Sequence, residues 1–298
     1  MLKDITLYIY GTTRLGDDSI TETQRIEIAL RAMEAGIWFH TSHHYNTALS
    51  ILRKAFDHDR NNLPKLIVKL GGNTIEEFRE DIQKNITPLG IDSIDVGQLC
   101  IGGSLAKEFA EGGKCYEQFE QIRAEGLISS YVMEVFPWTS EVPFKALSEG
   151  HSNKLLDAHI FYLNPLQRFA SNELWNLIQE NKTPVIAMRT VSGGPVHKLR
   201  DIPGFAWKGY LQERAVEVAP VFERSGISTW TEFCVRFAHS IPGVIATVGS
   251  TSRIENLLEF LSAVDPVQPL ATEIVAEITA LHHRWSDELD IHAEPWSM

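Results

Sequence analysis

Long apolar runs are missing from this chain. No segment approaches the roughly 18 consecutive apolar residues that a membrane span needs, so a membrane partner is not expected. Basic runs are missing too. With a net charge of -12 and a pI near 5.4, no basic stripe exists to follow a phosphate backbone. That argues against nucleic acid and against docking on anionic membranes. A local site on an acidic protein can still be basic, so an anionic ligand stays open. Cysteine is scarce. Cys100, Cys115 and Cys234 are odd in number and lack metal-like spacing, which points to a reducing, cytoplasmic setting. The start, Met1-Leu2-Lys3-Asp4, lacks the apolar core of a secretion signal and supports the same expectation.

What the chain does have is alternation. Apolar β-type runs and helical patterns follow one another about eight times. The strands are predicted at Leu7 to Tyr10, Ile37 to His40, Lys65 to Lys69 (stopped by Gly71-Gly72), Ile94 to Ile101, Leu127 to Met133, Leu155 to Tyr162, Thr183 to Met188 and Val244 to Val248. Helical spacing separates them, as at Ile26, Ala29, Leu30 and Met33 before Gly36. Alternating elements imply a parallel sheet. Eight units in 298 residues imply one α/β domain, a (β/α)8 TIM barrel. An open doubly wound sheet is the alternative, weakened because no G-x-G-x-x-G follows the first strand. Two long connections, Gly102 to Lys114 and Arg189 to Gly209, both follow strands. Both therefore belong to the C-terminal face, where barrel enzymes place their sites.

Ionisable groups gather at these strand ends. The segment Gly36-Ile37-Trp38-Phe39-His40-Thr41-Ser42-His43-His44-Tyr45 ends a strand in a loop of imidazoles and a phenol. Lys69 ends the third strand, and a lysine buried there needs a partner. Cys100 ends the fourth. Glu134 follows the fifth, where a carboxylate over a barrel mouth is expensive unless paired; Lys69 or Arg189 can supply the pair. His40, His43, His44 and Cys100 offer nitrogen and sulfur, but H-x-x-H-H on a loop has no standard zinc geometry, and no metal site is expected. The aromatic segments Phe136-Pro137-Trp138 and Phe205-Ala206-Trp207 fit a lining of the mouth or ordinary packing.

Several motifs carry a family resemblance. Gly11-Thr12-Thr13-Arg14-Leu15-Gly16, the Gly36 to Tyr45 stretch, Ile67-Val68-Lys69, Leu89-Gly90-Ile91-Asp92-Ser93-Ile94-Asp95, Asn164-Pro165-Leu166-Gln167-Arg168 and Gly249-Ser250-Thr251-Ser252 together resemble the aldo-keto reductases. The resemblance implies NADP-dependent reduction of a small-molecule carbonyl substrate, an aldehyde or ketone. Tyr45 would be the proton donor. Lys69 would be its partner, lowering a phenol pKa that is ordinarily about 10. His40 stands where the family has an aspartate, and Cys100 where it has a histidine. The cofactor set it implies is Arg189, Gly193, Ser250 and Arg253, the last toward a 2′-phosphate.

The nicotinamide side departs from the family's pattern. Glu134-Val135 replaces Ser-Asn, Ile160 a glutamine, Met188 a stacking aromatic and Phe260 an asparagine. Weak NADPH affinity follows as an expectation. The same substitutions suit another class, a non-redox acid/base enzyme such as an isomerase, epimerase or lyase. A third reading is a non-catalytic binding protein on the same barrel. With His40 in the aspartate's place, Lys69 has no negative neighbour unless Glu134 provides one. The two are therefore expected within salt-bridge distance. His40, Lys69, Cys100 and Glu134 are expected together at the C-terminal ends of strands two to five.

Overall fold

The computed structural model describes residue 2 and residues 4–136, 139–192 and 209–292, the last with side chains to residue 287. Eight parallel strands close into a barrel: β1 (Tyr8–Gly11), β2 (Trp38–Thr41), β3 (Leu66–Gly72), β4 (Ile94–Ile101), β5 (Ile128–Glu134), β6 (Leu156–Asn164), β8 (Val185–Met188) and β9 (Val244–Ser250). Neighbours pair in chain order, β9 pairs with β1, and β5 with β6, so the sheet has no open edge. A two-residue strand, β7 (Gln167–Arg168), folds back antiparallel on β6 and stays outside the ring.

Helices cover the outside: α1 (Glu22–Glu34), α2 (Ala48–His58), α3 (Ile75–Leu89), α4 (Gly103–Ala110), α5 (Cys115–Ala124), α6 (Glu141–Ser148), α7 (Asn172–Glu180), α8 (Tyr210–Ser225), α9 (Trp230–Ser240), α10 (Ile254–Ala263) and α11 (Thr272–His292). Local chemistry sets their ends. Thr21 and Gln24 cap the start of α1 reciprocally, and Gly36, at φ 65°, turns the chain from α1 into β2. Among the described residues, no helix is long and apolar enough to cross a membrane.

Three observations correct the sequence reading. Gly71-Gly72 does not stop β3; both glycines pair with β4, opposite Cys100 and Ile101. A parallel ladder takes its hydrogen bonds from the backbone, so glycine continues it where propensity argues for a break. The connection from Gly102 to Lys114 contains α4, whose Leu105 and Phe109 bury one face. β4 has the predicted limits, Ile94 to Ile101, and, β3 apart, the limits of the remaining strands differ by at most two residues.

The two-residue period of each strand decides what enters the barrel. Ile9, Trp38, Ile67, Val96, Val132, Ala158, Ile160, Ile186, Ala246 and Val248, drawn from all eight strands, fill the interior. Burying one such side chain contributes about 1.5–3 kcal/mol. Two residues further along the same strands stand His40, Lys69, Gln98 and Glu134, so polar groups crown an apolar plug at the C-terminal end.

Candidate functional site

The crown has two connected layers. In the lower one, His40 on β2 and Gln98 on β4 meet across the interior, Nε2 to Oε1, at 2.7 Å. The Gln98 amide nitrogen faces two sulfurs, Cys100 Sγ at 3.9 Å and Met188 Sδ at 3.8 Å. Its oxygen is therefore left for His40, whose Nε2 carries the proton as donor; that tautomer is assigned from the network. Burial pushes the His40 pKa down to about 4, against smaller raising effects of Gln98 and Glu134. His40 is neutral at neutral pH.

The upper layer is an ion pair. Lys69 Nζ donates to Glu134 Oε1 at 3.1 Å, with the two side chains 17% and 3% exposed. The Cys100 thiol donates to Glu134 Oε2, and the Lys69 ammonium lies 5.6 Å from the Phe136 ring centroid. Burial pulls Lys69 down, but Cys100, Glu134 and Tyr45 more than reverse this, and its pKa sits above the ordinary lysine value. Burial, and then Glu134, push the Cys100 thiol well up, so it stays protonated. The pair expected from sequence is present, and it is Lys69 rather than Arg189 that meets Glu134.

Tyr45 reaches the crown from the loop after β2. Its backbone N–H donates to the Ser42 carbonyl at 3.1 Å, and its carbonyl accepts from Ala48 at 2.9 Å. A Cβ at Gly16 would strike the Tyr45 carbonyl, so glycine there lets the β1 loop press on this turn. The His40 and Tyr45 ring centroids are 6.2 Å apart. Burial raises the Tyr45 pKa, Lys69 lowers it, and the net direction is upward. The phenol carries its proton at neutral pH, and the lowering expected from Lys69 is outweighed.

A cavity of about 910 Å³ opens beside this group. His40, Tyr45, Tyr162, Met188 and Arg189 wall its inner end, and Ser250, Thr251, Asn256 and Phe260 its outer end. Asp17, Asp18 and Glu259 line it as well, with Arg14, which is held by Asp17 at 3.2 Å. Arg189 lies 5.4 Å from the Tyr162 ring centroid and sits at φ 51°. A non-glycine residue in the left-handed region costs of order 1 kcal/mol and clusters at ligand sites.

The remaining sequence candidates divide. Ser250 ends β9 on the cavity wall, and its Oγ accepts the Arg14 N–H at 3.0 Å. Arg253 stands on the surface, 72% exposed, 3.7 Å from Glu255, and is not part of the cavity wall. Gly193 lies outside the described residues, as do Pro137, Trp138 and residues 205–207. Ile160 is buried in the barrel plug. Phe260 stacks on Tyr8, with centroids 4.7 Å apart and planes at 3°. Sequence reasoning missed Gln98 and Tyr162. Each stands two residues along a strand from a residue it did single out, Cys100 and Ile160, and so shares that residue's face.

Compared with known proteins, the profile of the Aldo/keto reductase family matches residues 8–283. No curated protein matches the chain in sequence. Among solved structures, an aldo/keto reductase from Klebsiella pneumoniae in complex with NADP and acetate is similar, with a TM-score of 0.69 and 18% identity, covering 94% of this chain and 92% of that one. An aldo-keto reductase from Bacillus halodurans in its holo form gives 0.68 and 22%, covering 94% and 95%. A Klebsiella pneumoniae aldo-keto reductase in complex with NADPH gives 0.67 and 18%, covering 94% and 92%. At such identities these likenesses carry the fold.

Proposed function

Since the chain belongs to the aldo/keto reductase family, we propose that it reduces a small-molecule aldehyde or ketone with NADPH through an altered reaction centre. One observation carries this reading: the buried Lys69–Glu134 pair at 3.1 Å. The family pattern asks for a carboxylate beside the lysine. His40 has displaced it from β2, and Glu134 returns it from β5.

Support for the cofactor comes from the outer end of the cavity. α10 starts there without any side-chain cap hydrogen bond, beside Ser250, Thr251 and Asn256. Uncapped first-turn amides of a helix suit phosphate oxygens. These residues fit the phosphate end of a dinucleotide. The acidic Asp17, Asp18 and Glu259 oppose it, and with Ile160 offering no amide and Met188 no stacking ring to the nicotinamide end, affinity is modest. When bound, NADPH supplies the hydride.

The chain's own groups manage the proton. Tyr45, protonated at neutral pH, donates from its hydroxyl to the carbonyl oxygen. Lys69, kept charged by Glu134, stabilises the negative charge that Tyr45 then carries. His40 does not act as the acid, because its Nε2 proton is committed to Gln98. The Cys100 proton is likewise committed to Glu134. Their work is to hold the two layers in register.

One observation favours a second reading, a non-redox acid/base enzyme. Glu134, Cys100 and Lys69 form a hydrogen-bonded set of proton carriers near Tyr45, and Glu134 occupies the β5 position that the family gives to the cofactor amide. A single experiment separates the two. The protein is titrated with NADPH by fluorescence and then assayed against aldehydes and ketones. Carbonyl-dependent loss of NADPH absorbance, abolished in Tyr45→Phe, supports the reductase. Absence of NADPH binding up to millimolar concentration overturns it in favour of the second reading.

A further inference from the structure

His43 and His44 lie on the loop after β2, and Asp81 lies on α3. One ligand atom from each can be chosen so that all three are within 4.8 Å of one another. His43 Nε2 and Asp81 Oδ1 are 3.5 Å apart. That is long for a hydrogen bond, which runs to about 3.2 Å. It is close to the edge of a coordination tetrahedron, because zinc–ligand bonds of about 2.0–2.1 Å set two ligands about 3.4 Å apart. The two imidazole centroids are 3.8 Å apart at 41°, so the rings already share one place.

The surroundings hold two of the three ligands. Asp81 is buried. Its Oδ2 accepts the Gly71 N–H at 3.0 Å, leaving Oδ1 for the histidine. The His43 backbone N–H donates to Asn85 Oδ1 at 2.8 Å, which fixes that residue on its loop. His44 is exposed and closes the set from the solvent side. Two nitrogens and one carboxylate oxygen suit zinc, whereas calcium and magnesium prefer oxygen alone.

We propose that His43, His44 and Asp81 form a three-ligand site for a divalent cation of the zinc(II) class, with the fourth position open to water. The histidine spacing alone does not predict it; Asp81 arrives from another element and completes it. A bound ion would fasten the loop that carries Tyr45, the residue after His44, to α3. The site is independent of whether the barrel binds NADPH.

Asn85 limits the affinity. To ligate through Nε2, His43 has to carry its proton on Nδ1. There it meets the Asn85 Nδ2 donor at 3.2 Å, which itself donates to the Asp81 carbonyl at 2.8 Å. Metal-bound histidines ordinarily give that proton to an acceptor. Asn85→Asp supplies one.

The test is calorimetric titration of zinc chloride into the metal-stripped full-length protein, with magnesium chloride as control. One zinc ion per chain and no magnesium are expected. His44→Ala, at an exposed position, should weaken zinc at least about tenfold, and Asn85→Asp should tighten it about tenfold. Asp81→Asn, which keeps an oxygen for the Gly71 N–H, is the second ligand variant. Thermal melts without zinc identify any variant that fails to fold. Among variants that fold, loss of the zinc-dependent rise in Tm supports the site. Zinc binding that survives either ligand substitution unchanged overturns it, as does no binding by the wild-type protein at micromolar zinc.

Discussion

The Lys69–Glu134 pair is best examined by a double-mutant cycle of Lys69→Met and Glu134→Gln. Removing one member of a buried pair leaves the other charge uncompensated, at a cost of about 3–5 kcal/mol. Two features of this site lower that figure. Lys69 keeps 17% exposure, and the Phe136 ring lies under its ammonium. Glutamine also retains an oxygen that can accept from Nζ. Glu134→Gln is therefore expected to cost roughly 2–3 kcal/mol. Lys69→Met leaves a buried carboxylate with only the Cys100 thiol, and is expected to cost more. The double variant strands no charge, so its loss should fall short of the sum by about 2 kcal/mol. Urea unfolding followed by circular dichroism, with the slope compared among variants, reads each value.

The pH dependence has a definite sign. Lys69 is raised above its ordinary value, so its contribution is complete below the unfolded lysine pKa of about 10.4 and is lost only as pH rises through the folded value. The coupling should therefore be constant between about pH 6 and pH 9. A coupling under about 0.5 kcal/mol would mean that the two side chains share a place without sharing energy, and the account of Lys69 as a charge held by Glu134 would fail.

Three further outcomes are expected. Tyr45→Phe should lower carbonyl turnover by about a hundredfold or more while NADPH affinity is kept, since only the proton donor is lost; a parallel loss of affinity would point to misfolding of the loop. His40 and His159 are both pushed down to about 4, chiefly by burial. The fold should therefore lose stability as pH falls from about 6.5 toward 4, by on the order of 3 kcal/mol for each. Neither ring nitrogen of His159 has a hydrogen-bond partner among the described residues. His159→Leu should accordingly keep or raise Tm at neutral pH and remove about half of the acid loss; an unchanged acid profile would contradict this. Gly249→Ala drives a Cβ into the Phe260 ring, which is stacked on Tyr8 and can yield only by leaving that stack toward the cavity it lines. A loss of about 1–3 kcal/mol in thermal melts is expected, and a neutral result would show that the stack is loose.

The barrel was legible because strand periodicity is local: Val96, Gln98 and Cys100 share a face whatever lies opposite. For the same reason, His40, Lys69, Cys100 and Glu134 could be placed on their strands from sequence alone, although β3 runs on past Lys69 to Gly72. Partner choice was less legible. That Glu134 meets Lys69 while Arg189 lies over Tyr162 depends on the register and tilt of several strands. The His40–Gln98 bond reaches past β3, from β2 to β4, and leaves no mark on spacing. α4 was hidden by Gly102-Gly103 and Gly112-Gly113, since glycine pairs read as loop and outweighed the Leu105 and Phe109 spacing. Asp81 could not be linked to His43 at all, because the loop after β2 and the helix after β3 meet only through the pairing of those two strands.

On the proposed reading, a relocated carboxylate also explains why Cys100 accompanies it. β3 and β5 are separated by β4, and neighbouring strands lie about 4.8 Å apart. A side chain on β5 therefore has to cross roughly 10 Å to meet one on β3. Aspartate is too short for that span. Glutamate and lysine reach each other over the β4 side chain between them. A large ring at that β4 position, such as the histidine the family pattern implies, would contest the space. Cys100 leaves room and gives its proton to the second carboxylate oxygen, so that both oxygens of a nearly fully buried Glu134 are satisfied. Below, the Gln98 amide faces the same sulfur and turns its oxygen to His40. On the proposed reading, the three departures, His40 on β2, Cys100 on β4 and Glu134 on β5, are one rearrangement. It keeps the net charge around Lys69 at zero while moving the anion across the mouth, to the strand on which the family seats the cofactor amide.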